Sequence, residues 1–223
     1  MSDARAEILA RLRGKGAGDA DAVAARLARH PRNLVPARAA SLDHAGQVAL
    51  FARLAAEADA SVAHVAALAD VPEAVARYLA ERNLAPGAVL TPDARLDRAP
   101  WERALLELRR GRVEAADAVG IGMAFAGIAE TGTLVLHSGA DHATRNNFLP
   151  ETHIVVLAAG DVVGSYEEAW DRLRALGAMP RAVNLITGPS RTADIAQRLE
   201  LGIHGPRRLH IVLVADGDAP AER

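Results

Sequence analysis

A short polar stretch between two predicted elements is the part of this sequence best suited to bind a ligand. The stretch 187–192 follows an apolar strand predicted over 182–187 and precedes a helix predicted over 193–199. Backbone N–H groups at such a junction suit a phosphate or a carboxylate, and hydroxyl and guanidinium groups add donors. The alternative is that a hydroxyl here only caps the helix, with Asp194 in its first turn. The candidate ligand-binding residues are Gly188, Pro189, Ser190, Arg191 and Thr192.

A second polar segment interrupts two apolar stretches at 130–133. Glu130 is a candidate base or nucleophile if it is desolvated, although a single carboxylate in a turn is more often solvated. Thr131, Gly132 and Thr133 offer hydroxyls and a backbone that a ligand can approach closely, so they are candidate ligand-binding residues.

Two further loops carry candidate ligands. The run 141–147 is too rich in donors to be an interior strand, and Arg145 within it is a candidate second anion ligand, although a surface loop has the same composition. His204 and Gly205 lie in a tight loop shortly before the last strand. His204 could approach the same sheet edge as the Gly188 segment. We therefore expect Thr131, Gly132, the 188–192 loop and His204 to share one crevice at the carboxyl ends of the sheet.

The eight histidines do not form a recognisable metal site. They show no H-E-x-x-H or H-x-H spacing, and several lie within or beside predicted strands. A structural role is the better interpretation, and no metal is expected.

The elements that must position these residues alternate between strands and helices from residue 60 onward. Apolar strands are predicted over 61–65, 88–90, 153–158, 182–187 and 209–214. Helices are predicted after Pro72 and Pro100, over 166–176 and over 193–199. Near-continuous apolar strands separated by helices indicate an α/β fold with a mainly parallel sheet covered by helices on both faces.

The segment 119–126 alternates large residues with Gly or Ala. This period of two predicts a strand with one bare face, against which a helix or a ligand can lie close to the backbone. Gly120 and Gly122 begin a dinucleotide-binding G-x-G-x-x-G pattern, but Phe125 stands where the third Gly belongs. The turn at 130–133 then predicts a hairpin with the next strand.

The first part of the chain is predicted to be helical and to contain no group of residues suited to catalysis or ligand binding. Ser2 can cap a helix that ends at Gly14, a second apolar pair stops before Pro31, and Ser41 can open a longer helix. We therefore divide the chain into an N-terminal helical segment, 1–58, that packs on the main domain or on another subunit, and an α/β domain, 59–223.

Composition excludes several classes of function. The net charge is −2, from 26 Lys and Arg against 28 Asp and Glu, so no basic field would gather nucleic acid. The sequence contains no cysteine, which excludes thiolate zinc sites, a cysteine nucleophile and a conventional iron–sulfur cluster held by this chain. Lys15 is the single lysine, which disfavours Schiff-base chemistry. No apolar run is long enough to span a membrane and no signal-peptide core is evident, so a cytoplasmic location is expected.

Several of these motifs together resemble the lactate-utilization protein C family, the LUD domain. The resemblance is carried by Ile128–Leu134, Leu149-Pro150, His153–Val156, Gly188–Ile195 and Gly202–Pro206. It implies a fold like that of glucosamine-6-phosphate deaminase, ribose-5-phosphate isomerase and coenzyme A transferases. It also implies one component of a three-protein system that oxidises L-lactate to pyruvate, in which Cys-rich partner proteins carry iron–sulfur clusters. No catalytic residue can be carried over from the resemblance.

Two functional hypotheses follow. The first is a subunit of a lactate-oxidising system that has no cofactor of its own and binds a small anionic ligand, partner subunits or both. The second is a stand-alone enzyme or ligand sensor for a phosphosugar or an acyl-CoA-like anion, with Glu130 as base or nucleophile and Arg191 holding the anion.

Overall fold

A computed structural model describes residues 2–14, 19–32, 35–140, 142–192 and 200–215. The chain divides into two compact units, residues 1–35 and 36–223. The smaller unit contains the helices α1 (Ser2–Gly14) and α2 (Ala20–Arg29). The carboxylate of Asp19 caps α2 by accepting a hydrogen bond from the backbone N–H of Asp21, and α2 buries none of its residues.

The larger unit contains the elements that position the candidate residues. Its helices are α3 (Ala37–Ala40), α4 (His44–Glu57), α5 (Val71–Glu81) and α6 (Tyr166–Ala175). Its strands are β1 (Ser61–Val65), β2 (Gly87–Leu90), β3 (Glu107–Arg110), β4 (Val119–Met123), β5 (Ala126–Ile128), β6 (Thr133–His137), β7 (Thr152–Ala158), β8 (Val162–Val163), β9 (Val183–Ile186), β10 (Arg191–Thr192), β11 (Glu200–Leu201) and β12 (Arg208–Val214).

Six strands form a fully parallel sheet in the order β1-β12-β7-β4-β2-β3. The central strands β7 and β12 are apolar on both faces because both faces are covered. On one face Ile154 and Val156 pack with α5, and on the other Val155 and Leu157 pack with Phe51 of α4. The predicted α/β class and its parallel sheet with helices on both faces are therefore confirmed.

Four strands form a second sheet in the order β8-β5-β6-β9. β5 and β6 are the predicted hairpin, joined through the turn at 129–132. β9 pairs antiparallel with β6, with Leu185 opposite Val135. The sequence assigned this strand to the parallel sheet, which is wrong. Its length and apolar character do not distinguish the two sheets.

One predicted helix is absent. The apolar spacing after Pro100 predicted a helix, but Trp101–Arg103 forms a single 3₁₀ turn and β3 follows. Leu105 is 93% exposed, so it does not belong to a buried helical face. The indole N–H of Trp101 donates to the carbonyl of Leu96 at 2.7 Å, which holds the turn.

α4 belongs to the larger unit. Asp43 rather than Ser41 caps this helix, with its carboxylate accepting from the N–H of Gly46 at 2.8 Å. Leu50, Phe51 and Leu54 are buried with strands of both sheets. The division between the units thus falls at 35/36, whereas the sequence placed it at 58/59. None of the helices in the described ranges has the length and apolarity that crossing a membrane requires.

Candidate functional site

Two loops that the sequence singled out lie against each other. The backbone N–H of Ser190 donates to the carbonyl of Pro206 at 2.9 Å, and the N–H of Gly202 donates to the carbonyl of Ser190 at 3.0 Å. These bonds fix the 188–192 loop beside the 202–206 loop. Sequence reasoning brought the two loops to one place, and the structure does so too.

A cavity of about 260 Å³, here called the Gly188 cavity, lies beside these loops. Thr187, Phe148, His153 and Leu209 contribute to its wall. The candidate residues that line it are Gly188, Pro189, Ser190, Arg191, His204 and Gly205. A mainly apolar cavity with a few convergent polar groups is typical of a small-molecule site.

The Gly188 cavity lies at the amino ends of the parallel strands. Its wall includes the second residue of β7, His153, and the second residue of β12, Leu209. The prediction of a crevice at the carboxyl ends of the sheet is wrong for this loop. The reason is that β9, which delivers the loop, belongs to the second sheet and does not share the direction of the parallel strands.

Arg191 is engaged by the protein itself. Its Nη1 donates to Asp59 at 2.9 Å and its Nη2 donates to the carbonyl of Ala58 at 2.9 Å. Gly188 also packs against the carbonyl of Ala58, because a Cβ built on Gly188 would lie 2.0 Å from that oxygen. Arg191 therefore anchors its loop to the end of α4. Donors on the two loops that could reach an anion in the cavity include Ser190, Thr187 and His204.

The turn at 131–133 reaches the Gly188 loop through hydroxyl groups. Thr133 Oγ1 lies 2.6 Å from Thr187 Oγ1 and 2.7 Å from Thr131 Oγ1, and the hydroxyl of Tyr166 lies within 3.2 Å of both Thr131 and Thr133. Thr187 continues this network to the cavity wall. The turn thus supports the loop from behind, while Thr131, Gly132 and Thr133 lie outside the cavity lining.

Glu130 lies in a buried turn. Its Oε1 accepts a hydrogen bond from the backbone N–H of Tyr166 at 3.0 Å, at the first residue of α6. This contact ties the hairpin turn to α6. Glu130 is not part of the Gly188 cavity wall.

The remaining candidates are dispersed. Arg145 is exposed on a 3₁₀ turn and lies outside the cavity lining. Thr192 lies on β10, opposite Glu200 of β11. Asp194 and the helix predicted over 193–199 lie outside the described residues.

A second, smaller cavity of about 20 Å³ lies at the carboxyl ends of β2 and β4, and we call it the histidine cavity. Its polar wall consists of Thr91, Arg95, His137, His142, Asn146, Asn147 and His153, and Gly122 contributes bare backbone. His153 and Asn147 line both cavities. Sequence reasoning missed this cluster, because it interpreted the histidines as structural. Two features of the sequence point to this cluster, the strand face without side chains at Gly122 and the run of polar residues over 141–147.

A buried carboxylate organises one side of the histidine cavity. Asp93 accepts hydrogen bonds from His142 Nε2 and from Arg95 Nη2, each at 3.0 Å. Burial alone would raise the pKa of Asp93, but the hydrogen bonds from His142 and Arg95 outweigh burial and hold this pKa well below its usual range. Asp93 thus joins the end of β2 to the segment that carries His142.

His153 has a different environment. It is 1% exposed, and burial lowers its pKa to about 4, so the ring is neutral at pH 7. Its Nδ1 is buried without a hydrogen-bond partner. Within the described residues, no group of three or more His, Asp or Glu side chains is arranged to hold a metal ion.

A known protein family matches most of this chain. The family described as the LUD domain matches residues 38–214. The chain belongs to the LUD domain family. Both cavities, the 131–133 turn and the two loops at 188–192 and 202–206 lie within the matched range.

The LUD domain of this chain is similar to several proteins named Lactate utilization protein C. One from Deinococcus radiodurans is 33% identical over 164 residues, which cover 70% of this chain and 73% of that protein. One from Geobacillus kaustophilus is 36% identical over 115 residues, 49% of this chain and 48% of that protein. One from Bacillus subtilis is 36% identical over 110 residues, 47% of this chain and 46% of that protein. The matched region thus spans about half the length of the last two relatives.

The LUD domain fold is also found in a solved structure. A crystal structure of a DUF162-family protein from Deinococcus radiodurans superposes with a TM-score of 0.57 at 24% identity, covering 78% of this chain and 99% of that chain. This likeness confirms the fold.

Proposed function

We propose that this protein is a cytoplasmic component of an L-lactate-utilization system. In this role it binds a small anionic ligand in the Gly188 cavity and acts with iron–sulfur partner proteins. The observation that carries the proposal is its membership of the LUD domain family together with relatives named Lactate utilization protein C. The matched range includes the loops that form the cavity.

The chemistry of lactate oxidation supports separate proteins for electron transfer and for ligand binding or assembly. Oxidation of L-lactate to pyruvate removes two electrons and two protons from the substrate, and an electron acceptor must receive the electrons. This chain has no cysteine, so it provides no thiolate ligand for a conventional iron–sulfur cluster. Partner proteins with such clusters would carry the electrons, while this chain holds a carboxylate or organises the assembly.

The Gly188 cavity offers suitable groups for a carboxylate. Ser190 and Thr187 present hydroxyls at its wall, and His204 presents an imidazole on the facing loop. Asp59 balances the charge of Arg191 nearby. We therefore expect Ser190 and His204 to donate hydrogen bonds to the ligand.

Growth on L-lactate tests the proposal. Deleting the gene in the organism that carries it should abolish growth on L-lactate as the sole carbon source and leave growth on glucose unchanged. The wild-type gene should restore growth, and the double variant Ser190→Ala, His204→Ala should restore it poorly at an equal protein level.

The matched control is His64→Ala, since His64 is an exposed histidine on β1 outside the Gly188 cavity. This variant should restore growth fully. Unimpaired growth of the deletion strain on L-lactate would overturn the proposed function. Full restoration by the double variant would overturn the role of the cavity.

A further inference from the structure

The histidine cavity plays no part in the function proposed above. It lies where Thr91 follows β2 and where Gly122 and Met123 end β4, at the carboxyl ends of neighbouring parallel strands. Open parallel sheets bind ligands at this edge. The histidine cavity adjoins the Gly188 cavity, because His153 and Asn147 line both.

His153 is the strongest sign of a ligand in this cavity. The side chain is 1% exposed, and neither ring nitrogen has a hydrogen-bond partner in the structure. Its Nδ1 is completely buried, whereas its Nε2 lies 3.6 Å from the point where a Cβ on Gly122 would stand. A buried N–H without a partner is costlier than a lone pair without one, so the proton belongs on Nε2. The Nε2–H group then points to the bare backbone of Gly122.

Thr91 presents a second donor to the same point. Its Oγ1 lies 3.5 Å from the Cβ position of Gly122, slightly closer than His153 Nε2 at 3.6 Å. Gly122 has no side chain, so an oxygen atom in van der Waals contact with its Cα can come within reach of both groups. The space of about 20 Å³ accommodates a water-sized group.

The polar side chains of the cavity wall suit an oxygen that accepts hydrogen bonds. Among the described residues of the wall, Arg95 is the only side chain with a permanent charge, and none is a carboxylate. Asp93, just behind, is already paired with Arg95 and His142. Arg95 also pairs with Asp161, so a carboxylate oxygen would meet mainly the neutral donors of the wall.

We propose that the histidine cavity binds a carboxylate oxygen of a small organic acid, held by the Nε2–H of His153 and the hydroxyl of Thr91. The remainder of the acid lies in a wider groove of about 480 Å³, which shares His142 and Ala143 with the cavity. Arg181 and Thr144 line this groove.

Formate is the smallest probe of this site. In full-length protein labelled with ¹⁵N in its histidine rings, the His153 signals are assigned by their loss in His153→Gln. Titration with sodium formate, against sodium chloride at equal ionic strength, should shift the His153 Nε2 signal saturably. Acetate and L-lactate then show how much of the acid the groove accepts.

Gly122→Ala blocks the site without disturbing the fold. The new methyl group would stand at ordinary van der Waals distance from Thr91 and His153, and it would narrow the space in front of Gly122 that the ligand oxygen must enter. This variant should weaken formate binding at least tenfold, and Thr91→Val should weaken it about fivefold. Gly87→Ala is the matched control, because a Cβ on Gly87 meets nothing within 4 Å. It should bind formate as the wild type does.

Two results would overturn the proposal. A His153 signal that does not respond to 100 mM formate would mean that the cavity holds only water, and this would overturn the proposal. Equal binding by Gly122→Ala, Thr91→Val and wild type would place formate elsewhere and would overturn it too. Neither result bears on the growth experiment, which depends on the Gly188 cavity.

Discussion

Two buried histidines make the stability of this protein depend on pH. His153 and His210 are 1% and 4% exposed. His210 stacks on the ring of Tyr78 at 3.8 Å, and its Nδ1 lies 2.8 Å from the hydroxyl of Ser61. Burial lowers the pKa of each ring to about 4. Both rings are therefore neutral in the folded protein at pH values where an unfolded chain would protonate them.

The sign of the pH effect follows from this shift. Between pH 6.5, the ordinary pKa, and pH 4 the unfolded chain binds more protons than the folded one, so the free energy of unfolding decreases as pH decreases. From pH 7 to pH 5 each histidine should remove about 2 kcal/mol of stability. Asp93 contributes little in this range, because its carboxylate is ionised in both states. Urea unfolding at the two pH values measures the loss.

Single variants identify the source of this loss. Between pH 7 and pH 5, the free energy of unfolding of His153→Gln should decrease by about 2 kcal/mol less than that of the wild type. His64→Gln is the matched control, because it replaces a histidine that is exposed on β1 rather than buried. Equal losses in all three proteins would show that buried histidines do not set the pH dependence.

Individual contacts of the candidate site were only partly predictable from the sequence. The polar composition of the segments at 188–192 and 202–206 indicated a shared site, and backbone hydrogen bonds do join them. The partner of Arg191 is Asp59, 132 residues earlier in the chain. No local pattern connects such distant residues, so the sequence could not show that this cation is already paired.

At the scale of elements, the hairpin turn between β5 and β6 depends on one glycine. Gly132 has a φ of +66°, and a Cβ built on it would lie 2.3 Å from the backbone nitrogen of Ala55 in α4. The turn therefore packs directly on the backbone of the helix. The sequence interpreted this glycine as an approach for a ligand, but α4 occupies that space.

Gly132→Ala is expected to destabilise the protein by about 3 kcal/mol or more, since the methyl group must displace α4 and the backbone conformation is also strained. Gly177→Ala is the matched control. Gly177 has a φ of +80° but no atom within 4 Å of its Cβ position, so only the strain of about 1 kcal/mol applies. Urea unfolding of both variants measures the difference. Equal losses would mean that α4 moves aside freely.

Which sheet each strand joins was harder to predict than where each strand lies. The sequence located the strands at 61–65, 153–158 and 209–214 because continuous apolar residues are typical of strands buried on both faces. The same criterion selected β9, whose pairing with β6 is antiparallel. Pairing direction depends on contacts between segments far apart in sequence, and hydrophobicity along one strand does not record it. The 188–192 loop was consequently expected at the carboxyl ends of the parallel strands, whereas it lies at their amino ends.

At the scale of the whole molecule, the fold class followed from the alternation of strands and helices, but the boundary of the larger unit did not. Within the described residues, the three apolar cores consist of residues from Ala39 onward. α4 supplies Leu50, Phe51 and Leu54 to the core between the two sheets. The glycines and prolines before residue 37 and the amphipathic character of α4 suggested an appended helix, because a pattern along one helix does not show which core it completes.

Two truncations distinguish the boundaries at 35/36 and 58/59. Removing residues 1–35 should leave the free energy of unfolding within about 1 kcal/mol of the full chain, because all three cores remain. Removing residues 1–57 also removes Leu50, Phe51 and Leu54, whose burial contributes about 6 kcal/mol, a large part of the 5–15 kcal/mol typical of a domain. This shorter chain should lack a cooperative urea transition. A cooperative transition of undiminished free energy in the shorter chain would instead establish 58/59 as the boundary of the folding unit.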